Sequence, residues 1–118
     1  MKSDLPYLNH ILDAISRIQS YTKNMGREKF SDDPKTQSAV VRELEVVGEA
    51  AKRLSMETRQ RYPEIPWAEV SGMRDKLIHA YFDVKLEEVW RTVERDIPQL
   101  KSTVEKAVAE LVNISGKK

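Results

Sequence analysis

Cysteine is absent from this 118-residue chain, which excludes disulfides, zinc–thiolate centres and thiol nucleophiles together. Histidine is nearly as scarce, with only His10 and His79, so the search for a neutral-pH acid or base is short. Neither histidine has a glutamate three residues before it. A di-metal carboxylate bundle needs such Glu-x-x-His pairs, so Glu43, Glu45 and Glu49 do not make one. No run is long and apolar enough to span a membrane. The start, Met1-Lys2-Ser3-Asp4-Leu5-Pro6, has no apolar signal core, and Lys2 excludes an N-myristoyl glycine. A cytoplasmic location is expected, and the glycosylation-like triplet Asn113-Ile114-Ser115 is read as a chance match. An excess of one charge is missing too: 33% of residues are charged but the net charge is only +1. That balance argues against a generic polyanion binder, although a local basic groove remains open. Nothing alternates with period two for long enough to build a sheet, and there is no repeat or low-complexity linker.

What the chain does have is helical periodicity. The length suits one domain, expected over 1–114 with a disordered tail at 115–118. Leu5, Leu8, Ile11, Leu12, Ile15 and Ile18 recur at threes and fours, predicting a helix from Ser3 or Asp4 to near Gly26. Ser31-Asp32-Asp33-Pro34 is an acidic cap with proline in the first turn, and it opens a second helix striped by Val40, Val41, Leu44, Val47, Ala51 and Leu54. Gly48, Ala50 and Ala51 are small enough there for another helix to come close. Residues 55–62 predict a short turn of helix ended by Pro63. A third helix follows Pro66 through Trp67, Val70, Met73, Leu77 and Ile78, with a bend allowed at Gly72. Asp83 is expected to cap a fourth from about Val84, carrying Leu86, Val89, Trp90 and Val93. Pro98 must then produce a kink, or a fresh start capped by Asp96, before Leu100, Val104, Val108 and Leu111. The fold class is all-α: an antiparallel bundle of four main helices with a short or broken fifth element.

The chemistry concentrates in Arg74-Asp75-Lys76-Leu77-Ile78-His79-Ala80-Tyr81, an RxxxxHxY string. Arginine holds a phosphate bidentately and keeps its charge, histidine titrates nearest neutrality, and tyrosine offers a hydroxyl that can be modified. At about 100° per residue, Arg74 and Tyr81 share a helical face, whereas Arg74 and His79 diverge by roughly 140°. One straight helix does not bring all three onto one phosphate. Either it ends or bends near His79, or another copy of the chain completes the site. Spacing alone also allows a structural reading, with His79 serving a helix C-terminus, Arg74 paired to Glu69 or Asp75, and Tyr81 packed in the core.

The longer run from Ile65 to Val84, with its Pro66-Trp67, Gly72-Met73-Arg74 and His79-Ala80-Tyr81-Phe82 elements, resembles the signature of the HepT-like toxins. These are a branch of the HEPN superfamily (higher eukaryotes and prokaryotes nucleotide-binding domain). The Val40–Ala51 segment and the Trp90 helix leading into Asp96-Ile97-Pro98 are similar to the same family, so the resemblance spans nearly the whole chain as one HEPN-like helical domain. It implies a metal-independent endoribonuclease needing no cofactor, the toxin of a type VII-like toxin–antitoxin pair. It also implies a homodimer in which the arginine and histidine of both protomers face one cleft. His79 would be the general acid/base for attack of an RNA 2′-hydroxyl, Arg74 would stabilise the phosphoryl charge, and Asp75 would orient a catalytic side chain. Tyr81 would be the acceptor of AMP, carried from ATP by the cognate antitoxin, a minimal nucleotidyltransferase. The alternative is a non-catalytic HEPN subunit that binds a nucleotide or docks a nucleotidyltransferase with the same residues.

Overall fold

Asp4 begins the molecule with an interaction that is not local. The computed structural model describes residues 4–79 and 86–116, with side chains over 4–73 and 86–113. Asp4 precedes helix α1 (Leu5–Tyr21), yet its carboxylate does not cap that helix. It is buried, and it accepts from the Ser55 backbone N–H (3.0 Å), the Ser55 hydroxyl (2.6 Å) and the Thr58 hydroxyl (2.5 Å). Burial alone would raise its pKa, but the hydrogen bonds from Ser55 and Thr58 outweigh that and hold it below the ordinary 3.8. α1 buries Leu8, Ile11, Ala14, Ile15 and Ile18 along one stripe, as its periodicity demands. It stops at Tyr21, short of Gly26, where the chain leaves the helical region and Asn24 adopts a left-handed φ of 61°.

The connection after α1 is itself partly helical, which the pattern did not predict. Helix α2 (Arg27–Ser31) starts after the extended Gly26 and places Phe30 wholly inside the core. Helix α3 (Pro34–Lys52) starts as expected, with the Asp33 carboxylate accepting from the Thr36 backbone N–H at 3.0 Å and the Thr36 hydroxyl at 2.7 Å. Its far end is closed from outside: Arg59 donates to the carbonyls of Ala51 and Lys52, both at 2.9 Å. Arg59 belongs to the short helix α4 (Met56–Arg61), capped by Ser55. Helix α5 (Trp67–His79) follows and continues through Gly72 as helix. Among the described residues, a Cβ on Gly72 would meet nothing within 4 Å, so no close approach there explains this glycine.

Helix α6 (Leu86–Arg91) leads into a π-helical turn (Thr92–Asp96) and then helix α7 (Ile97–Gly116). The proposed Asp83 cap lies outside the described residues. The fresh start capped by Asp96 does not occur, since Arg91 and Ile97 both hold α-helical angles and the chain runs on without leaving the helical region. The wider turn is the physical alternative to a break. Pro98 lacks an N–H and its ring would crowd the carbonyl four residues back, and a local i→i+5 winding relieves both problems. α7 continues to Gly116; of the expected tail, Lys117 and Lys118 lie outside the described residues.

The long helices α1, α3, α5 and α7 form the bundle, with α3 packed against both α1 and α5, and α1 also against α7. The small Gly48, Ala50 and Ala51 of α3 are buried. α2 bridges α3 and α6. Among the described residues there is no strand, and no helix is long and apolar enough to cross a membrane.

One core tyrosine carries a measurable signature. Tyr62 is buried and donates its hydroxyl to Glu110 at 2.5 Å. Burial, then that carboxylate, push its pKa from 10.0 up to about 12. The folded state therefore keeps this proton where the unfolded chain loses it, and the associated stability is intact below pH 10.0 and lost as pH rises toward about 12. In a spectrophotometric titration of the 4 tyrosines, one phenolate should appear only near that upper value, and Tyr62→Phe should remove that step. A final ionisation at ordinary tyrosine pH would contradict the burial argument.

Candidate active site

Trp67 sets where α5 begins. It is buried, its indole N–H donates to the Tyr62 carbonyl at 2.9 Å, and its backbone N–H reaches the Ile65 carbonyl at 2.9 Å. Pro66 sits just before it, at a position where a missing N–H costs nothing. From this anchor α5 lies along α3 and carries Arg74, Asp75 and His79 on one uninterrupted helix. Regular winding separates Arg74 from His79 by roughly 140° in azimuth and about 7.5 Å along the axis. The helix bears all three positions, yet its backbone does not set Arg74 and His79 on one face. Tyr81 lies outside the described residues.

Trp67, Val70 and Ser71 are the buried residues in the first part of α5, and Arg74 occupies the next position in that register. Ser71 was not singled out by the sequence. Its hydroxyl is buried without a hydrogen-bond partner, one turn before Arg74. A groove of about 260 Å³ runs beside this part of the helix, with Pro66, Glu69, Val70 and Met73 on one wall and Asp96, Ile97 and Leu100 on the other. Its described lining is mainly apolar, and the charged residues in it, Glu69 and Asp96, are acidic, which suits an apolar group better than a phosphate.

Basic and aromatic groups gather elsewhere. Arg27 from α2 joins Glu87, Trp90 and Arg91 from α6, and Glu94 and Arg95 from the π turn, around a cavity of about 190 Å³. No local string announces it, because its members come from segments 60 residues apart, as in the 2.6 Å pair of Arg27 with Glu87.

Two other polar residues weighed from the sequence have identifiable neighbours. His10 is exposed and meets the ring of Tyr7 edge-on, with centroids 6.2 Å apart. Glu43 is tied to Arg17 at 2.8 Å. Among the described residues no group of three or more histidines, aspartates and glutamates is placed to hold a metal ion.

Comparison with known proteins identifies the family. The family model described as "Ribonuclease HepT-like" matches residues 11–107, a span that includes the whole RxxxxHxY string. A protein named probable ribonuclease HepT from Thermococcus cleftensis is 48% identical over 89% of this chain and 96% of its own length. A protein from Caldanaerobacter subterraneus subsp. tengcongensis, provisionally named an RNase, is 43% identical over 88% of this chain and 93% of its own. A Methanocaldococcus jannaschii protein named as a gamma-glutamylcyclotransferase and, provisionally, an RNase is 46% identical over 94% of this chain, which spans 50% of that longer protein. No solved structure matches. A family match covering most of the chain, with relatives this similar over nearly their full length, shows that the chain belongs to the HepT-like ribonuclease family.

Proposed function

We propose that this protein is an endoribonuclease that cuts RNA by internal attack of the 2′-hydroxyl on the adjacent phosphate, and that it acts as the toxin of a toxin–antitoxin pair. The observation that carries the reading is the placement of Arg74 and His79 on one continuous helix inside the region that matches the family. His79 takes the 2′-hydroxyl proton, the oxygen attacks phosphorus, and the 5′-oxygen leaves with a proton. The products are a 2′,3′-cyclic phosphate and a free 5′-hydroxyl. Arg74 neutralises the charge that grows on the phosphoryl oxygens, and Asp75 orients one of the two. No metal ion takes part in these steps.

The angular separation of Arg74 and His79 supports a homodimer. Two copies of α5 meeting across a twofold axis supply each arginine with a histidine from the other chain, and two histidines supply one base and one acid. Tyr81 is the point of control: its oxygen attacks the α-phosphorus of ATP held by a nucleotidyltransferase partner, and pyrophosphate leaves. The attached AMP pairs with Arg74 and takes the place of the RNA backbone. The reading fits a cytoplasmic protein.

The test uses the purified chain with single-stranded RNA, with and without EDTA, followed by mass analysis of the product ends. Cleavage that survives EDTA and leaves cyclic phosphate is expected. Cleavage abolished by EDTA overturns the mechanism, and nucleotide binding without any cleavage favours the docking subunit. Supplying the cognate nucleotidyltransferase with ATP should add the mass of AMP to the wild type but not to Tyr81→Phe, which should stay active.

A further inference from the structure

We propose that the cavity between α2 and α6 binds the phosphodiester backbone of a single-stranded stretch of the RNA substrate, with Arg91 and Arg95 holding phosphates and Trp90 offering a face to a base. The inference rests on the reading of this chain as an RNA-cutting enzyme and adds a contact away from α5.

Charge bookkeeping around the cavity singles out two cations. Arg27 is matched by Glu87 at 2.6 Å, and Glu94 accepts from the Trp90 indole N–H at 3.1 Å. Arg91 and Arg95 are exposed, and neither has a hydrogen bond or ion pair among the described residues. Elsewhere Arg17, Arg53 and Arg61 each face a carboxylate. Two unpaired guanidiniums converging on one cavity offer the planar fork that fits phosphate oxygens.

Independent support comes from the aromatic wall. Trp90 lies against the buried Phe30, ring centroids 5.2 Å apart, which fixes the indole while it still lines the cavity. A rigid aromatic beside arginines is the combination that holds single strands, because every base has a π face and every nucleotide a phosphate. Arg95 also sits in the π turn, four residues after Arg91, and both line the cavity. Such turns recur at functional sites.

Position favours the same strand that α5 would cut. The chain from His79 to Leu86 covers seven residue steps, so it holds the start of α6 within about 25 Å of His79. A short single strand can reach both. Among the described residues the groove beside α5 presents no cation, and Arg53, which shares a cavity with Tyr7 and His10, already faces Glu49 at 3.8 Å.

The experiment measures binding apart from cleavage. A fluorescently labelled single-stranded RNA is titrated into the His79→Ala protein and into the same protein carrying Arg91→Ala and Arg95→Ala, at several salt concentrations. The arginine variant should bind at least tenfold more weakly, with the slope of log affinity against log salt reduced by about 1.4, or ~0.7 for each lost phosphate contact on a single strand. Arg91→Lys with Arg95→Lys should restore the slope, and Trp90→Leu should weaken binding while leaving the slope alone. Unchanged affinity and slope in the double alanine variant overturn the subsite, as does equal binding of a duplex of the same sequence. If the arginine dependence appears but the wild-type chain never cuts RNA, the subsite stands and the enzymatic reading falls. Wild-type cleavage with no arginine dependence has the opposite meaning.

Discussion

His79→Ala should slow RNA cleavage by about 10²–10⁴-fold, the usual contribution of a positioned general acid/base. The chain has only one other histidine, and His10 is exposed on α1 beside Tyr7, so no second imidazole stands ready to substitute. Arg74→Ala should cost about 10²–10³-fold, the scale for losing one donor to a developing oxyanion. Arg74→Lys keeps the charge but loses the planar fork, and should recover only part of that loss. Single-turnover cleavage of a labelled RNA measures all three, with far-UV circular dichroism to confirm that each variant is folded. Full activity in His79→Ala would remove the histidine from the mechanism and return it to a structural role at the end of α5.

Phe30→Ala should destabilise the fold by about 3–5 kcal/mol, the cost of emptying a buried aromatic site. That is a large share of the ~5–15 kcal/mol that holds a domain together. Phe30 is wholly buried although it belongs to a helix of only five residues, and its ring meets Trp90 at 5.2 Å. Removing it therefore loosens α2 from α6 as well as opening a void. Urea unfolding followed by tryptophan fluorescence should show the midpoint falling by more than 1 M, given a slope of about 1–3 kcal/mol/M. Phe30→Leu, which keeps most of the volume, should fall less. A midpoint that hardly moves in Phe30→Ala would mean that the core collapses around the site at little cost.

The long helices were legible because their apolar residues repeat often enough to define a face. Leu8, Ile11, Ile15 and Ile18 turn inward together, and Asp33-Pro34 announces the start of α3 through capping chemistry that needs no tertiary partner. α2 was not legible: between Gly26 and Asp32 there is a single apolar residue, Phe30, and one residue has no period. Pro98 signalled a disturbance, but whether a chain breaks or widens depends on how the flanking turns pack, and that is decided by the bundle. The site divides in the same way. Arg74, His79 and Tyr81 stand out as a short string, whereas Arg27, Arg91 and Arg95 become neighbours only when α2 meets α6. Asp4 reads as an ordinary helix cap, and its real partners are 51 and 54 residues away.

That distance matters during synthesis. At about 5–20 residues per second, Thr58 is added roughly three to ten seconds after Asp4. Until Ser55 and Thr58 are made the Asp4 carboxylate lacks the hydroxyls it accepts from, and until α3 is made the Leu8–Ile18 stripe lacks much of the surface that will cover it. A ribosome paused within this interval would present an amphipathic helix with its apolar side bare, open to a chaperone or to the same helix on a neighbouring nascent chain. The choice of codons between positions 4 and 58 is thus a lever on how much of this protein reaches its folded form.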